Sequence, residues 1–174
     1  MSRLCEGRVA IVTGGARGVG RQHALLLASH GAKVVVNDIG AEIDGSGGDA
    51  SLAQEVADEI TALGGEAMVN GDDVASWTGA KRLIDQTVKR FGKLDVLINN
   101  AGILRDRMLT NMSEEEWDSV INVHLKGTFA PSRHASAYWR ELSKSQGGPV
   151  SGRIINTSST SGIYGNVGQT NYGA

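Results

Sequence analysis

Only one cysteine, Cys5, stands in the 174 residues, so no disulfide can form within the chain and a reducing compartment fits it. Neither sign of charge is in excess: 17 Lys and Arg against 19 Asp and Glu leave a formal net charge of −2. That balance offers no basic field for nucleic acid or an anionic membrane surface. No apolar run approaches the roughly 18 residues needed to cross a bilayer. The opening Met1-Ser2-Arg3-Leu4-Cys5-Glu6-Gly7 lacks the apolar stretch of a signal peptide. His23, His30 and His134 show no metal-ligand spacing, and no metal site is predicted. With no internal repeat and no composition break, residues 1–174 read as a single domain large enough for a hydrophobic core. These absences predict a cytoplasmic protein.

What is abundant is glycine, 24 residues, placed at punctuation points rather than in a low-complexity tract. Between them short β-branched runs alternate with helical spacing. Arg8–Thr13, Lys33–Asp38, Glu66–Asn70, Leu94–Ile98 and Gly152–Ser158 read as strands. Helices are predicted at Gly18–Ser29, Ser51–Leu63 and Ser76–Phe91, the last with Ser76 as N-cap and Gly92 closing it. A long helix over Ser113–Leu142 opens on a Ser113/Glu116 capping box, and Pro131 should kink or interrupt it. Alternating strand and helix predicts an α/β fold: a doubly wound, Rossmann-type parallel sheet with helices on both faces, here ending after its fifth strand. Ligands of such sheets bind beyond the carboxyl ends of the strands, where the chemically suggestive motifs fall.

The first of these motifs joins the first strand to the first helix: Thr13-Gly14-Gly15-Ala16-Arg17-Gly18-Val19-Gly20. Glycines there let backbone N–H groups approach a pyrophosphate, and the helix N-terminus behind them favours negative charge. Gly14, Arg17, Gly18, Val19 and Gly20 are therefore candidate cofactor-binding residues, against the alternative of a glycine turn with no ligand. Asp38, 18 residues after Gly20, closes the second strand. A carboxylate there accepts bonds from the ribose hydroxyls of NAD and repels the 2′-phosphate of NADP, although an ordinary turn Asp is the plain alternative. Arg17 pulls the other way. Read as a mobile, exposed side chain, it is outweighed by Asp38, so NAD is expected and NADP less so.

The spacing TGxxxGxG resembles that of the classical short-chain dehydrogenase/reductase family. The resemblance extends to Asp72-Asp73-Val74, Asn99-Asn100-Ala101-Gly102, and Ser159 followed 13 residues later by Tyr172. It implies that Asp73 and Val74 bracket the adenine and that Asn100, Ala101 and Gly102 line the cofactor site. On residue type alone, Asp73 could equally cap the next helix and the Asn run could be a turn. The resemblance further implies that Tyr172 is the acid/base at the substrate oxygen, with the Ser159 hydroxyl bonded to the same oxygen. A free tyrosine titrates near pH 10. The family lowers this with a Lys four residues on, which would be position 176, beyond Ala174. The expectation is that these residues are the N-terminal part of a longer dehydrogenase and are poor catalysts alone. The family commonly has Asn where this chain has His124, in the frame VxLxGxF. His124 is a candidate proton relay or a buried structural residue.

The stretches Val36–Gly40, Asn99–Arg107, Val123–Gly127 and Ser161–Asn171 are similar to the (3R)-hydroxyacyl-CoA dehydrogenase units of peroxisomal multifunctional enzymes type 2 and their bacterial relatives. That resemblance implies oxidation of a secondary 3-hydroxyl of a small-molecule substrate to a ketone with NAD, in a homo-oligomer paired through the long central helix and the helix that carries the Tyr. Two alternatives stay open: a dehydrogenase of an unrelated alcohol or carbonyl, and an NAD-binding module without chemistry.

Overall fold

The computed structural model describes residues 3–49 and 51–174. Five parallel strands form one sheet in the order β3-β2-β1-β4-β5: β1 Val9–Thr13, β2 Lys33–Asn37, β3 Glu66–Asn70, β4 Val96–Asn99 and β5 Arg153–Asn156. Strands reverse side chains at every residue, so a strand covered on both faces must be apolar throughout. Ala10 and Val12 of β1, Val34 and Val36 of β2, and Val96 and Ile98 of β4 face one side. There they meet Ala24 of α1 (Gly18–Ser29) and Ala53, Val56 and Ile60 of α2 (Ser51–Ala62). Ile11, Val35 and Leu97 face the other side, against Leu83 and Ile84 of α3 (Trp77–Phe91) and Ala135 of α5 (Gly127–Gln146). The fully buried valines and isoleucines of β1 and β2 are what the hydrophobic effect secures here, at about 1.5–3 kcal/mol per side chain.

Chain punctuation follows the sequence closely. Ser76 Oγ accepts from Gly79 N at 3.2 Å, and Gly92 closes α3 at φ 79°. Ser113 and Glu116 form the reciprocal capping box at the start of α4, Glu114–Ile121. The third strand keeps its expected limits, β4 starts two residues later and ends one residue later than expected, and the other strands lie within one or two residues inside theirs.

The long helix runs on to Gln146, four residues beyond its expected end, and differs in a second respect. Helix α5 runs straight through Pro131, and the irregularity lies upstream, in a π turn over Asn122–Lys126 that separates α4 from α5. Gly127 N–H reaches back five residues to the Asn122 carbonyl there. An amide at position 131 would have bonded the Gly127 carbonyl, and the proline ring crowds that group. The wide turn directly before it relieves the crowding, so α5 needs no break at the proline itself. His134, in the same helix, is a core residue. Its ring lies 4.5 Å from that of Trp77, Nε2 donates to the Trp77 carbonyl at 3.2 Å, and burial pushes its pKa below the ordinary range.

Strand order reverses at β1, between β2 and β4. This is where an open parallel sheet presents a crevice at its carboxyl edge. Among the described residues, no helix is long and apolar enough to cross a membrane.

Candidate active site

A cavity of about 590 Å³ opens at that edge, within the range of small-molecule sites. All 11 residues expected to bind a cofactor line it, from Gly14 through Asp38 to Gly102. The three candidate catalytic residues stand outside that lining.

The glycine turn is locked to β4 by polar side chains. Thr13 Oγ1 accepts from the amides of Asn100 at 2.9 Å and Ala101 at 3.0 Å. Asn100 Nδ2 in turn donates to the carbonyls of Thr13 at 3.0 Å and Gly14 at 3.1 Å. The contacts leave no room for side chains. At Gly14, with φ 62°, a Cβ would lie 2.8 Å from the Ala101 backbone, and at Gly20 it would overlap the Gly14 carbonyl. Hence the Asn run is a clamp rather than a plain turn. Asn99 points the other way, donating from Nδ2 to Ser132 Oγ and Asn156 Oδ1, both at 2.9 Å, so it ties β4 to α5 and β5.

Asp38 is held in the same manner. One carboxylate oxygen accepts from Ala16 N at 3.0 Å, and the other from Gly40 N at 2.8 Å. The carboxylate is thereby fixed against the glycine turn, at the cavity wall. Asp73 neither caps α3, which is Ser76's part, nor stands idle: its Oδ1 accepts from Ala75 N at 2.8 Å in a tight turn at the wall. Arg17 is not a mobile side chain. Its guanidinium is gripped by both oxygens of Glu42, at 2.8 and 3.0 Å. That pairing raises the pKa of Arg17 and lowers that of Glu42.

The first turn of α1 contains no acidic residue, and Arg17 at its N-cap makes no side-chain capping bond. A helix end without its own acceptor, beside glycines and a cavity, suits an anionic group. The donor set therefore fits a dinucleotide pyrophosphate.

Around the candidate catalytic residues, His124 lies in the π turn. Its Nε2 stands 3.0 Å from Ile103 N and 2.9 Å from Ile103 O, one role belonging to each tautomer. A Cβ on Gly102 would lie 2.5 Å from its ring, and the ring meets Tyr172 edge-on at 5.0 Å between centroids. His124 and Tyr172 are thus brought together. Ser159 Oγ accepts from Ser161 N at 3.2 Å.

Residue-type reasoning missed several members. Asn171 is almost fully buried, and its Nδ2 donates to the carbonyls of Arg105 at 3.0 Å and Glu116 at 3.1 Å. Its Oδ1 accepts from Tyr172 N at 2.8 Å, so it positions the tyrosine. Its place directly before Tyr172 was the available signal. Glu42 and Arg105 also line the cavity, and nothing in the pattern of the glycine-rich loop or of Asn99–Arg107 marked them.

The family model for short chain dehydrogenases matches residues 8–174. The chain belongs to the short chain dehydrogenase family. It is 50% identical over 169 residues to the peroxisomal multifunctional enzyme type 2 of Drosophila melanogaster, covering 97% of this chain and 27% of that one. It is 49% identical over 174 residues to the hydroxyacyl-CoA dehydrogenase ChsB1 of Mycobacterium tuberculosis, covering 97% and 52%. A short chain dehydrogenase from Mycobacterium avium, solved by crystallography, superposes with a TM-score of 0.90 at 61% identity, covering 98% of this chain and 58% of that one. The chain therefore spans about half the length, or less, of these two curated relatives.

Proposed function

We propose that the intact protein is an NAD-dependent oxidoreductase interconverting a secondary alcohol and a ketone, with a 3-hydroxyacyl-CoA as its substrate class. The observation that carries the cofactor choice is Asp38, whose two oxygens are pinned by Ala16 N and Gly40 N at the cavity wall. A fixed carboxylate accepts hydrogen bonds from ribose hydroxyls and opposes a 2′-phosphate by like-charge repulsion. The acyl-CoA substrate is supported by the names of the two curated relatives.

In this reading Gly14, Gly18, Val19 and Gly20 hold the pyrophosphate at the α1 N-terminus, Asp73 and Val74 flank the adenine, and Asn100, Ala101 and Gly102 line the floor. When bound, NAD supplies the acceptor for the hydride leaving the carbinol carbon. The Tyr172 hydroxyl exchanges the proton at the substrate oxygen, and the Ser159 hydroxyl donates a hydrogen bond to that oxygen. His124 braces the Ile103 backbone and the Tyr172 ring, a positioning part that its contacts support over a proton relay. Exposed Leu125 and Phe129 on the central helix segment, with Trp77 beside Phe129, suit a homo-oligomer contact. The single free cysteine suits work in a reducing compartment such as the cytoplasm.

Calorimetric titration of the intact protein with NAD and NADP tests the cofactor choice. We expect NAD to bind more tightly, and Asp38→Ala to weaken NAD while narrowing the gap, by about tenfold for a lost charge-assisted pair of hydrogen bonds. An unchanged preference in the variant would remove Asp38 from this role.

A further inference from the structure

The chain after β2 does not return directly to a helix. Residues 39–49 cross the rim of the cavity as a strap, and Ile39, Ala41, Glu42, Ile43 and Gly45 contribute to its wall. Two attachments fix the strap. Its base is closed by Asp49 N donating to the Gly40 carbonyl at 2.9 Å, and its far side by Leu104 N donating to the Ile43 carbonyl at 2.8 Å. Gly45 lies so close to Ile103 that a Cβ there would stand 3.1 Å from the isoleucine side chain. The strap thus spans from the β2 edge to the loop that follows Gly102.

From this strap Glu42 reaches the glycine turn. Arg17 Nη1 donates to its Oε2 at 2.8 Å and Nη2 to its Oε1 at 3.0 Å, a fork-to-fork pair. Arg17 is the N-cap residue of α1, next to Ala16, whose amide holds Asp38. A guanidinium at that place is the group a 2′-phosphate would seek, because it matches phosphate geometry and charge. Here two of its five N–H donors, one on each Nη, are taken by Glu42, whose carboxylate also offsets its charge. The pair shifts both partners toward their charged forms, Arg17 up and Glu42 down, each chiefly through the shared hydrogen bonds. A 2′-phosphate would have to compete with Glu42 for the fork of Arg17, with two carboxylates, Asp38 and Glu42, at the same wall.

We propose that Glu42 is a specificity-determining residue, which withholds Arg17 from the 2′-phosphate of NADP and so reinforces the choice of NAD. The proposal rests on the reading of the cavity as a dinucleotide site. It assigns Glu42 an action through Arg17 and not through its own charge alone, and that distinction is measurable.

The experiment is a double-mutant cycle on the intact protein, with dissociation constants for NADH and NADPH from nucleotide fluorescence in wild type, E42A, R17A and R17A/E42A. Both side chains are largely exposed, at 41% for Arg17 and 61% for Glu42, so the variants should fold, and a melting curve checks this. E42A should improve NADPH relative to NADH by about threefold to tenfold, the range of a released charge-assisted contact. In the R17A background, the same change should leave the ratio within about twofold. E42Q, which keeps the shape of the strap and removes the charge, should move the ratio in the same direction as E42A. An E42A ratio equal to wild type overturns the proposal, as does an equal shift with and without Arg17. Failure of the wild-type protein to bind either nucleotide would instead overturn the reading of the cavity, and the two failures are separable because the second precedes any variant.

Discussion

Strands β1 and β5 belong to one sheet and bear opposite ends of the proposed chemistry, yet they are held very differently. Within these 174 residues, about half the length of the relatives or less, all five residues of β1 are buried and all four of β5 are exposed, Ile154 and Ile155 among them. The carboxyl end of β1 is cross-linked to two other strands by side chains of the site itself: Asn100 clamps the glycine turn from β4, and Asp38 clamps it from β2. Beyond β5, the segment carrying Ser159 and Tyr172 is bonded to the loop between β4 and α4 and to the first turn of α4, through Asn171 and Gln169. Within residues 3–174 the glycine turn is tied to its neighbouring strands by side chains of the site itself, while the segment carrying Ser159 and Tyr172 is tied through Asn171 and Gln169. Stability and nucleotide binding should be coupled at the glycine turn, where one clamp serves both, while loss of the Tyr172 hydroxyl alone should affect turnover.

Tyr172→Phe is the largest expected effect and the sharpest form of this separation. Removing the hydroxyl leaves the ring against His124 and takes away only the proton-transfer group. Turnover in the intact protein should fall by about 10²–10⁴-fold, the usual worth of a positioned acid/base. NAD affinity by calorimetry should stay within about twofold. Residual activity near wild type would remove Tyr172 from the acid/base role. Gly20→Ala should do the converse. Its Cβ would overlap the Gly14 carbonyl and lie 2.5 Å from Asn100 Nδ2, so the clamp itself must shift. A cost of about 1–3 kcal/mol is ordinary for overpacking, and it should appear together in chemical denaturation and as a loss of NAD affinity of about tenfold or more. Loss of affinity without loss of stability would break the claim that the two are one structure here.

The cofactor region was legible from sequence because its parts are local: a strand, a glycine turn and a helix in one stretch, with Asp38 and Asn100 at the ends of the next strands. What could not be read was the partner of each side chain. Arg17 looked free because Glu42 is 25 residues away in a loop with no periodicity, and only the strap brings them together. Asn171 carried no role in the sequence, since its bonds run to carbonyls 66 and 55 residues earlier. Pro131 misled for a different reason. Proline marks a lost amide unambiguously, but a helix can relieve the strain one turn upstream, and the π turn at Asn122–Lys126 is a response of the backbone that no residue type announces. His124 sits in that turn, so the position of its ring depended on the same unannounced geometry.

The smallest effect lies in the anchoring of the segment after β5 and carries a pH sign. Glu116 joins three functions: it completes the capping box of α4, its Oε1 accepts from Arg107 Nε and Nη2 at 3.0 and 2.8 Å, and its carbonyl holds Asn171. The Arg107 guanidinium, followed by the Ser113 backbone amide, brings its pKa from the ordinary 4.5 down to about 2. A carboxyl whose folded pKa is depressed stabilises the fold above its unfolded value. That contribution is whole above about pH 4.5 and fades as the pH falls from there toward 2. Because Arg107 is more than half exposed, water and salt screen most of the gain, and the effect belongs in a titration rather than a melting curve. Carbon-detected NMR of the Glu116 carboxyl should show its midpoint climb toward the ordinary carboxylate range in Arg107→Ala, and NAD affinity should stay unchanged because Arg107 touches no residue of the glycine clamp. A midpoint that remains near 2 would mean that the capping box alone sets the charge of Glu116. A change in NAD affinity would mean that the two regions are less separate than their packing implies.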